Sequence, residues 1–491
     1  MVTFFSGLVI LIIGAAVYGR ICERILKPSD RKTPAVEKYD GVDFVPMKKW
    51  KNSLIELLNI AGTGPILGPI QGILFGPIAF LTIPIGCVIG GAFHDYMVGM
   101  ISVRNDGLQM PGLVRRFLGK RLSSVYMIFV SLSLLLLGVV FIYTPGDLFV
   151  TDILGGESSL HNPVTWIVYG AIFVYYIIAT LLPIDKIIGK IYPIFGAVLL
   201  LSAVGVFVGL FTNGYRLDEI WQTGFSLVNG YGDRFIPIFF VTVACGIVSG
   251  FHSTQATLIS RTMGDEREGR MTFYNMMILE GFIAMVWAAA AMGTVNMGLA
   301  GTDMLHDSAT SVVGIVARNM LGPIGGVIAV IGVIVLPITS GDTALRSLRV
   351  MAADTLRIDT GKKRNNLLLA LPIFAIAAGI LYFAKSEPSG FGVMWRYFSW
   401  SNECIAVFAF AVISVYMLRN DMLFLMACIP GMFYMFIVAS YILSAQIGFG
   451  LSWPVSYILA GVFSLAYGAA IFFGGKRKEP LPEKASAAKK K

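Results

Sequence analysis

Charged residues are scarce in this chain, and their scarcity excludes an ordinary soluble protein. Asp, Glu, Lys and Arg make up 14% of its 491 residues, whereas a soluble domain has about a quarter. Hydrophobic residues make up 56%. They occur in blocks of about 20 with almost no charge inside them, which is the length that crosses ~30 Å of hydrocarbon. The sequence therefore predicts an all-α polytopic membrane protein, with about 13 transmembrane helices.

Cysteine and the motifs of common enzymes are also sparse. The five cysteines have no paired spacing, so neither a disulfide framework nor a zinc site is predicted. The chain has no Walker motif, dinucleotide fingerprint, G-x-S-x-G or H-E-x-x-H. We therefore expect no enzyme, no cofactor and no resident metal. A membrane enzyme with a metal shared by His94 and His252 is a weaker alternative.

The net charge of +9 is explained by its distribution rather than by nucleic acid binding. Of the 38 Lys and Arg residues, 33 fall on one side of the predicted membrane, and the other five are Arg216, Arg234, Arg318, Lys385 and Arg396. Basic loops stay in the cytoplasm. We therefore expect a multi-pass protein of the bacterial inner (plasma) membrane, with its N-terminus outside and its C-terminus in the cytoplasm.

The apolar blocks define the predicted spans and the organisation of the chain. We place the spans at 4–21, 53–75, 77–103, 122–143, 163–182, 188–211, 235–260, 272–298, 322–351, 365–384, 395–418, 420–446 and 453–474. The first span lacks a basic leader region and a cleavage site, so it is expected to be a retained helix. The basic tail, 476–491, is low in complexity and is expected to be disordered.

The first unusual span reads AGTGPILGPIQGILFGP over residues 61–77. Glycines four residues apart are typical of close helix packing. However, Pro65 and Pro69 also free the carbonyl groups of Ala61 and Pro65, and free backbone groups at membrane depth need a protein, water or ligand partner. We interpret the segment as a helix break at a ligand or ion site, and a packed kink is the alternative.

The second unusual span reads ACGIVSGFHSTQAT over residues 244–257. A polar run that includes Ser249 and His252 interrupts apolar sequence there, flanked by Gly246 and Gly250. Ser and Thr can cap a new half-helix, whose N-terminal end favours an anion. We expect a second break at this point.

Two interrupted helices in corresponding positions of two halves indicate a transporter site at a repeat interface. The predicted organisation is a five-plus-five inverted repeat. Residues 1–51 form a peripheral helix and a cytoplasmic linker, 52–211 the first repeat, 235–418 the second, and 419–475 peripheral helices.

The motifs at these breaks also support a family resemblance. GTGPILGPIQG, GGAFHDYM (90–97), CGIVSGFHSTQ, LEGFIAMVWAAA (279–290) and TSGDTALRSLR (339–349) resemble the carbon starvation protein A family, in the expected order. The resemblance implies the leucine-transporter-like inverted-repeat fold and uptake of pyruvate or of short peptides. One departure is Asn402-Glu403, where the family pattern leads us to expect Asn-Gln.

From the residues and the resemblance together, we expect a secondary active transporter that imports a small carboxylate or peptides by proton symport with alternating access. Its partners would be the substrate, the proton and the lipid bilayer. The rival hypotheses are a nutrient sensor or channel, and a sodium-coupled transporter of a related solute. The substrate carboxylate is expected at the two half-helix ends, bound by Gly62, Thr63, Gly64, Pro65, Ser249, Gly250, His252, Ser253, Thr254 and Gln255.

Ionisable residues inside the membrane are costly and are therefore functional candidates. The candidates for carrying a proton are His94, Asp95, Glu280, Asp342 and Glu403. Structural hydrogen bonding is the alternative for each. Adjacent helical residues point about 100° apart, so His94 and Asp95 are expected to have different partners.

A cation site is the last candidate. Ala61, Thr339, Ser340 and Thr343 offer oxygen ligands of the kind that a small hard cation prefers. Asp342 and Arg346 are four residues apart on one helix and are expected to pair. We favour the interpretation that this fixed pair replaces a sodium ion.

Three other features receive ordinary structural interpretations. The aromatic residues of MWRYFSW (394–400) are expected at a membrane interface. His161 and His306 are expected to be solvated in outside loops. Residues 305–321 alternate polar and apolar residues at helical spacing, which predicts a helix that lies over the membrane surface or packs on the protein.

Overall fold

The computed structural model describes residues 1–40, 44–181, 185–307, 309–356, 358, 363–387 and 389–475. The predicted disordered tail, 476–491, lies outside the described residues. Fifteen membrane-associated helices are numbered here: α1 Val2–Leu26, α2 Lys49–Ile60, α3 Gly64–Phe75, α4 Ala79–Val103, α5 Lys120–Ile153, α6 Pro163–Leu181, α7 Asp185–Thr212, α8 235–242, α9 Gly250–Ile259, α10 Glu266–Asn296, α11 Ala309–Leu356, α12 Lys363–Ser386, α13 Gly390–Arg419, α14 Leu425–Ser444 and α15 Trp453–Gly475.

The all-α class predicted from the apolar blocks is confirmed. In the described part of the chain, nine helices are long and apolar enough to cross a membrane, or ten if the bent pair α2–α3 counts as one span. The shorter apolar helices Pro163–Ala179 and Gly196–Thr212 and the interrupted segment 235–259 occupy the other three predicted positions. The total of 13 and the division into repeats remain predictions.

Both predicted breaks fall where the sequence places them. α2 and α3 meet at an angle of 49°, and Ala61 between them has a non-helical backbone (φ −82°, ψ 58°). α8 and α9 are separated by the non-helical residues 243–249, where Gly246 has a φ of +97°. Such a φ is accessible to glycine without steric cost, so Gly246 permits the turn between the two half-helices.

Helix α11 is bent at Gly322, whose φ is +72°. The part before the bend buries Val312, Val313 and Val316 against the protein. The amphipathic segment predicted at 305–321 is therefore helical over most of its length, preceded by the short helix Thr302–Asp307.

The connections collect at two ends of the helical bundle. We call the end with residues 27–40, 44–48, 104–119 and 260–265 the basic side, and the end with 154–162, 213–234 and 297–307 the neutral side, after their Lys and Arg content.

On the basic side, the linker between α1 and α2 is tied to the segment that follows α9. The backbone N–H of Met47 donates to the carbonyl of Thr262 at 2.9 Å. The hydroxyl of Thr33 donates to the carbonyl of Met263 at 2.6 Å, and the N–H of Ser29 donates to Glu266 at 2.7 Å.

Candidate functional site

The two breaks lie against each other at the centre of the bundle. A Cβ atom added to Gly64 would lie 2.3 Å from the Cβ of Cys245, and one added to Gly68 would lie 2.6 Å from the carbonyl oxygen of Thr242. The glycine-rich segment is therefore both broken and closely packed, because Gly64 and Gly68 have no side chains and let the second interrupted segment approach the backbone of α3. That the break is a ligand or ion site, rather than a packed kink, stays a prediction.

The N-terminus of α9 is capped from another helix. Ser249 was expected to cap it, but its side chain makes no capping hydrogen bond. Instead, Asn402 of α13 accepts a hydrogen bond from the N–H of Phe251 at 2.6 Å and donates one to the hydroxyl of Ser249 at 2.9 Å. Gly250 is needed here, since an added Cβ would lie 2.1 Å from the carbonyl oxygen of Asn402.

The other polar residues of this half-helix bond locally. Ser253 and Thr254 donate to the carbonyl groups of Gly250 and Phe251 at 2.5 and 2.7 Å, and Gln255 donates to the hydroxyl of Thr254 at 3.1 Å. Thr63, in the first break, is buried, and no described residue pairs with its hydroxyl.

Four ionisable side chains from three helices form a continuous chain beside the breaks. His94 Nδ1 lies 2.7 Å from one carboxyl oxygen of Asp95, and His252 Nδ1 lies 3.0 Å from the other. On its far side, His252 Nε2 lies 3.4 Å from Glu280. All four side chains are fully buried. The expectation that His94 and Asp95 have separate partners is wrong, because the two contact each other and Asp95 also reaches His252.

This geometry constrains the protons. An ionised Asp95 accepts one hydrogen bond from each imidazole, which places an N–H at both Nδ1 atoms. The Nε2 of His252 then faces the carboxyl group of Glu280 with either a lone pair or a second proton. A lone pair and a carboxylate repel each other, so a proton on Nε2 or on Glu280 stabilises this 3.4 Å contact. The backbone of Gly246, in the second break, also interacts with Glu280.

Glu56 belongs to this cluster and was missed by the sequence reasoning. It lies on α2, fully buried, within electrostatic range of Asp95 and Glu280. Among the described residues, neither of its carboxyl oxygens has a hydrogen-bond partner. The signal was present, because Glu56 is a carboxyl group within the predicted span 53–75.

Glu403, next to Asn402 on α13, is also fully buried, and its carboxyl oxygens have no partner in the described part of the chain. Of the Lys and Arg side chains that the structure describes, none contacts Glu56, Asp95, Glu280 or Glu403. Four buried carboxyl groups cannot all stay ionised beside two histidines. The arrangement is therefore suited to holding protons or another cation.

The described residues include only part of the predicted cation site. The side chains of Thr339, Asp342 and Thr343 lie outside the described residues, so the Asp342–Arg346 pair remains a prediction. Ser340 is buried, and Arg346 donates to the carbonyl oxygen of Ala179. Within the described residues, no group of three or more His, Cys, Asp or Glu side chains is arranged to hold a metal ion.

A second polar cluster lies on the neutral side. Arg396 donates to Asp233 at 2.6 Å, and His306 Nε2 lies 3.7 Å from the same carboxyl oxygen. Burial raises the pKa of Asp233, but the nearby His306 and the charge of Arg396 outweigh it and hold the pKa below its usual range. His306 was expected to be solvated. It is instead half-buried and stacks on Tyr231, with ring centroids 4.1 Å apart.

The aromatic motif on α13 also differs from its expected interfacial role. Trp395 is fully buried, and its ring N–H donates to the carbonyl of Thr242 at 3.2 Å. It therefore satisfies a backbone group that the second break leaves without a helical partner.

Comparisons with known proteins agree with this architecture. The family model described as "Carbon starvation protein CstA" matches residues 1–156 and 140–316. An uncharacterized membrane protein of Haemophilus influenzae is 41% identical over 338 residues, which are 60% of this chain and 91% of that protein. Two Escherichia coli proteins also match, named peptide transporter CstA (27% identical; 53% of this chain, 45% of that protein) and pyruvate/proton symporter BtsT (25% identical; 57% and 47%).

The chain thus spans about half the length of the named transporters that it matches. Among solved structures, a manganese transporter of Eremococcus coleocola superimposes with a TM-score of 0.56, covering 88% of this chain and 96% of that chain. Sequence identity is 10%, so the likeness shows a shared fold and nothing about the solute.

Proposed function

The chain belongs to the carbon starvation protein CstA family, and we propose that it is a proton-coupled secondary transporter of pyruvate or short peptides, working by alternating access. One observation carries the proposal of proton coupling. The chain His94–Asp95–His252–Glu280 is buried beside the contact between two broken helices and joins two imidazoles and two carboxyl groups at distances of 2.7 to 3.4 Å.

The proposed coupling uses the two ends of this chain. Asp95 holds both imidazoles in place through their Nδ1 atoms. The proton between His252 and Glu280 is the one exchanged with the solvent when the bundle opens. Glu56 supplies a further acceptor on the first broken helix. Since the helices that carry these groups move relative to one another in alternating access, gain or loss of a proton changes the relative stability of the two conformations.

The substrate is proposed to bind at the half-helix ends, at Gly62–Pro65 and at Ser249–Gln255. Because His252 lies between Asp95 and Glu280, its proposed role is to carry the proton. Backbone N–H groups at the first break are proposed to bind the substrate carboxylate. The basic side is proposed to face the cytoplasm of the bacterial inner membrane.

Uptake into proteoliposomes tests this function. Labelled pyruvate and labelled di- and tripeptides would be supplied in sodium-free buffer, with and without an inward proton gradient. We expect gradient-dependent uptake of one substrate class, lost in His252→Ala and retained in His161→Ala, which alters an exposed loop histidine. Uptake that depends on sodium and ignores the proton gradient would overturn proton coupling in favour of the sodium alternative.

A further inference from the structure

A small cavity on the neutral side is lined by residues of both interrupted helices. It holds about 60 Å³ of open space and is lined by Gln71 of α3, Thr242 of α8, Ser389 and Arg396 of the α13 region, and Asn229 and His306 of the loops. We call it the outer cavity. That volume accommodates a group of a few atoms or several waters. Because Gln71 and Thr242 belong to the two interrupted helices, the outer cavity borders both helices that form the candidate site.

The guanidinium group of Arg396 donates fewer hydrogen bonds to the described residues than it has N–H groups. Arg396 has five N–H donors. Within the described residues, Asp233 accepts the one hydrogen bond that it donates, through Nη2 at 2.6 Å. Its side chain is 26% exposed and lines the cavity, so donors remain for a ligand there. A planar array of free N–H groups is the arrangement that binds a carboxylate with two parallel hydrogen bonds.

The residues around Arg396 are held in place by their own hydrogen bonds. Gln71 is nearly buried and donates to the carbonyl of His306 at 3.3 Å, which joins α3 to the loop that carries this histidine. Asn229 accepts from the N–H groups of Tyr231 and Asp233 at 3.0 Å each, which fixes the loop around Asp233. The partner of Arg396 is therefore held by a pre-formed loop rather than by a freely moving side chain.

We propose that the outer cavity is a binding site for the carboxylate group of a small organic acid, and that the entering carboxylate competes with Asp233 for Arg396. Its place on the substrate's entry route rests on the proposed function, but the binding itself does not. The exchange has a mechanical consequence. Arg396 lies on α13 and Asp233 on the loop before α8, so loss of their ion pair removes one of the contacts that join the second interrupted segment to α13.

A cysteine reporter at the mouth of the cavity tests the site without any transport. Ser389 is exposed and lines the cavity, so Ser389→Cys would be labelled in purified protein with an anionic and a cationic methanethiosulfonate of similar size. We expect the anionic-to-cationic rate ratio to fall about fivefold in Arg396→Gln, to be largely kept in Arg396→Lys, and to rise about threefold in Asp233→Asn. The unmodified chain gives the background from its native cysteines.

Ligand protection identifies the chemistry. Pyruvate should slow labelling of Ser389→Cys, and its neutral amide should not, and this protection should disappear with Arg396→Gln. Arg318→Gln is the matched control, because Arg318 also pairs with an aspartate, Asp152, on the neutral side but does not line the cavity. An unchanged rate ratio in Arg396→Gln, or equal protection by pyruvate and the amide, would overturn the proposal.

The two proposals can fail separately. If labelling shows no carboxylate site while proteoliposomes still import pyruvate, the outer cavity is only a structural ion pair and the transport proposal stands. If pyruvate protects the reporter but is not imported, the binding site stands and the proposed transport of pyruvate fails.

Discussion

Buried charges at the ends of the bundle differ from those at its centre. At the basic side, Arg104 contacts Glu266 at 2.5 Å, and its other nitrogens donate to Tyr416 and to the carbonyl of Lys27. Near the neutral side, Lys385 lies 3.0 Å from Asp147.

At the centre, among the described residues, the carboxyl groups form ion pairs with histidines or with no cation. Each end pair has a permanent cation, so its charges are fixed. The central groups can change charge only by moving protons. We therefore interpret the buried pairs of Arg104 and Lys385 as structural, and the central carboxyl groups, which have no permanent cation, as functional.

The largest effect is expected when one partner of a permanently charged buried pair is removed, which tests whether that pair is structural. Arg104→Gln leaves the fully buried Glu266 with only Arg31 as a cation, at 3.3 Å and with a side chain that is 38% exposed, and we expect a loss of about 3 kcal/mol in the free energy of unfolding. Thermal unfolding in detergent would measure it. Replacing both partners, Arg104→Met with Glu266→Met, should recover much of the loss. In the control Arg318→Gln, where the arginine side chain is 47% exposed, the change should stay below about 1 kcal/mol. Equal losses in the two arginine variants would contradict a structural role for Arg104.

The second largest effect is expected at Asp95, where a substitution should lower uptake without lowering the free energy of unfolding. Asp95→Asn removes the carboxylate that both imidazoles share, because an amide offers one oxygen and turns its NH₂ group toward the second ring. We expect proton-driven uptake to fall about 100-fold, with unfolding little changed. Glu157→Gln, at an exposed loop carboxyl group, is the control. If Asp95→Asn lowers stability and uptake together, Asp95 belongs with the structural pairs.

Glu56 gives a smaller and more specific test. Glu56→Gln keeps the shape of the side chain but removes its capacity to ionise. We expect uptake to fall about tenfold and its dependence on external pH, between about pH 5 and pH 8, to shift. Uptake measured across that range would show both effects. A variant with an unchanged pH profile would remove Glu56 from the proton route.

The smallest effect on stability is expected for the partly exposed pair Arg396–Asp233 on the neutral side. The pKa of Asp233 is lowered by His306 and Arg396, so its pairing stabilises the fold above the usual carboxyl pKa. This stabilisation is lost as the pH falls through the lowered pKa. We expect Asp233→Asn to cost about 0.5–1 kcal/mol at neutral pH, and the difference from the original chain to vanish in strong acid. A difference that grows on acidification would contradict the assignment.

Much of the fold could be predicted from local sequence, for a physical reason. The length of an apolar block sets a span, and Gly and Pro weaken a helix where they stand. The breaks at Ala61 and Gly246 were therefore predictable from a few adjacent residues, as were the ionisable candidates His94, Asp95, His252 and Glu280. Glu56 carried the same signal, a carboxyl group within a predicted span.

What could not be predicted depends on contacts between distant residues. Asn402 caps α9 from 151 residues away, and Asp95 reaches His252 across 157 residues. No local pattern distinguishes these pairings from alternatives. Trp395 and His306 were interpreted from composition alone, as interfacial and solvated. Both are held in the fold by groups that only the packing of α8, α13 and the outer loops brings near them.

The linker between α1 and α2 has a consequence for how the molecule moves. Ser29, Thr33 and Met47 are each hydrogen-bonded to residues 262–266. The end of the second broken helix can therefore move outward only if these hydrogen bonds break or these linker residues move with it. We expect the second route to couple opening on the basic side to the segment that precedes the first broken helix.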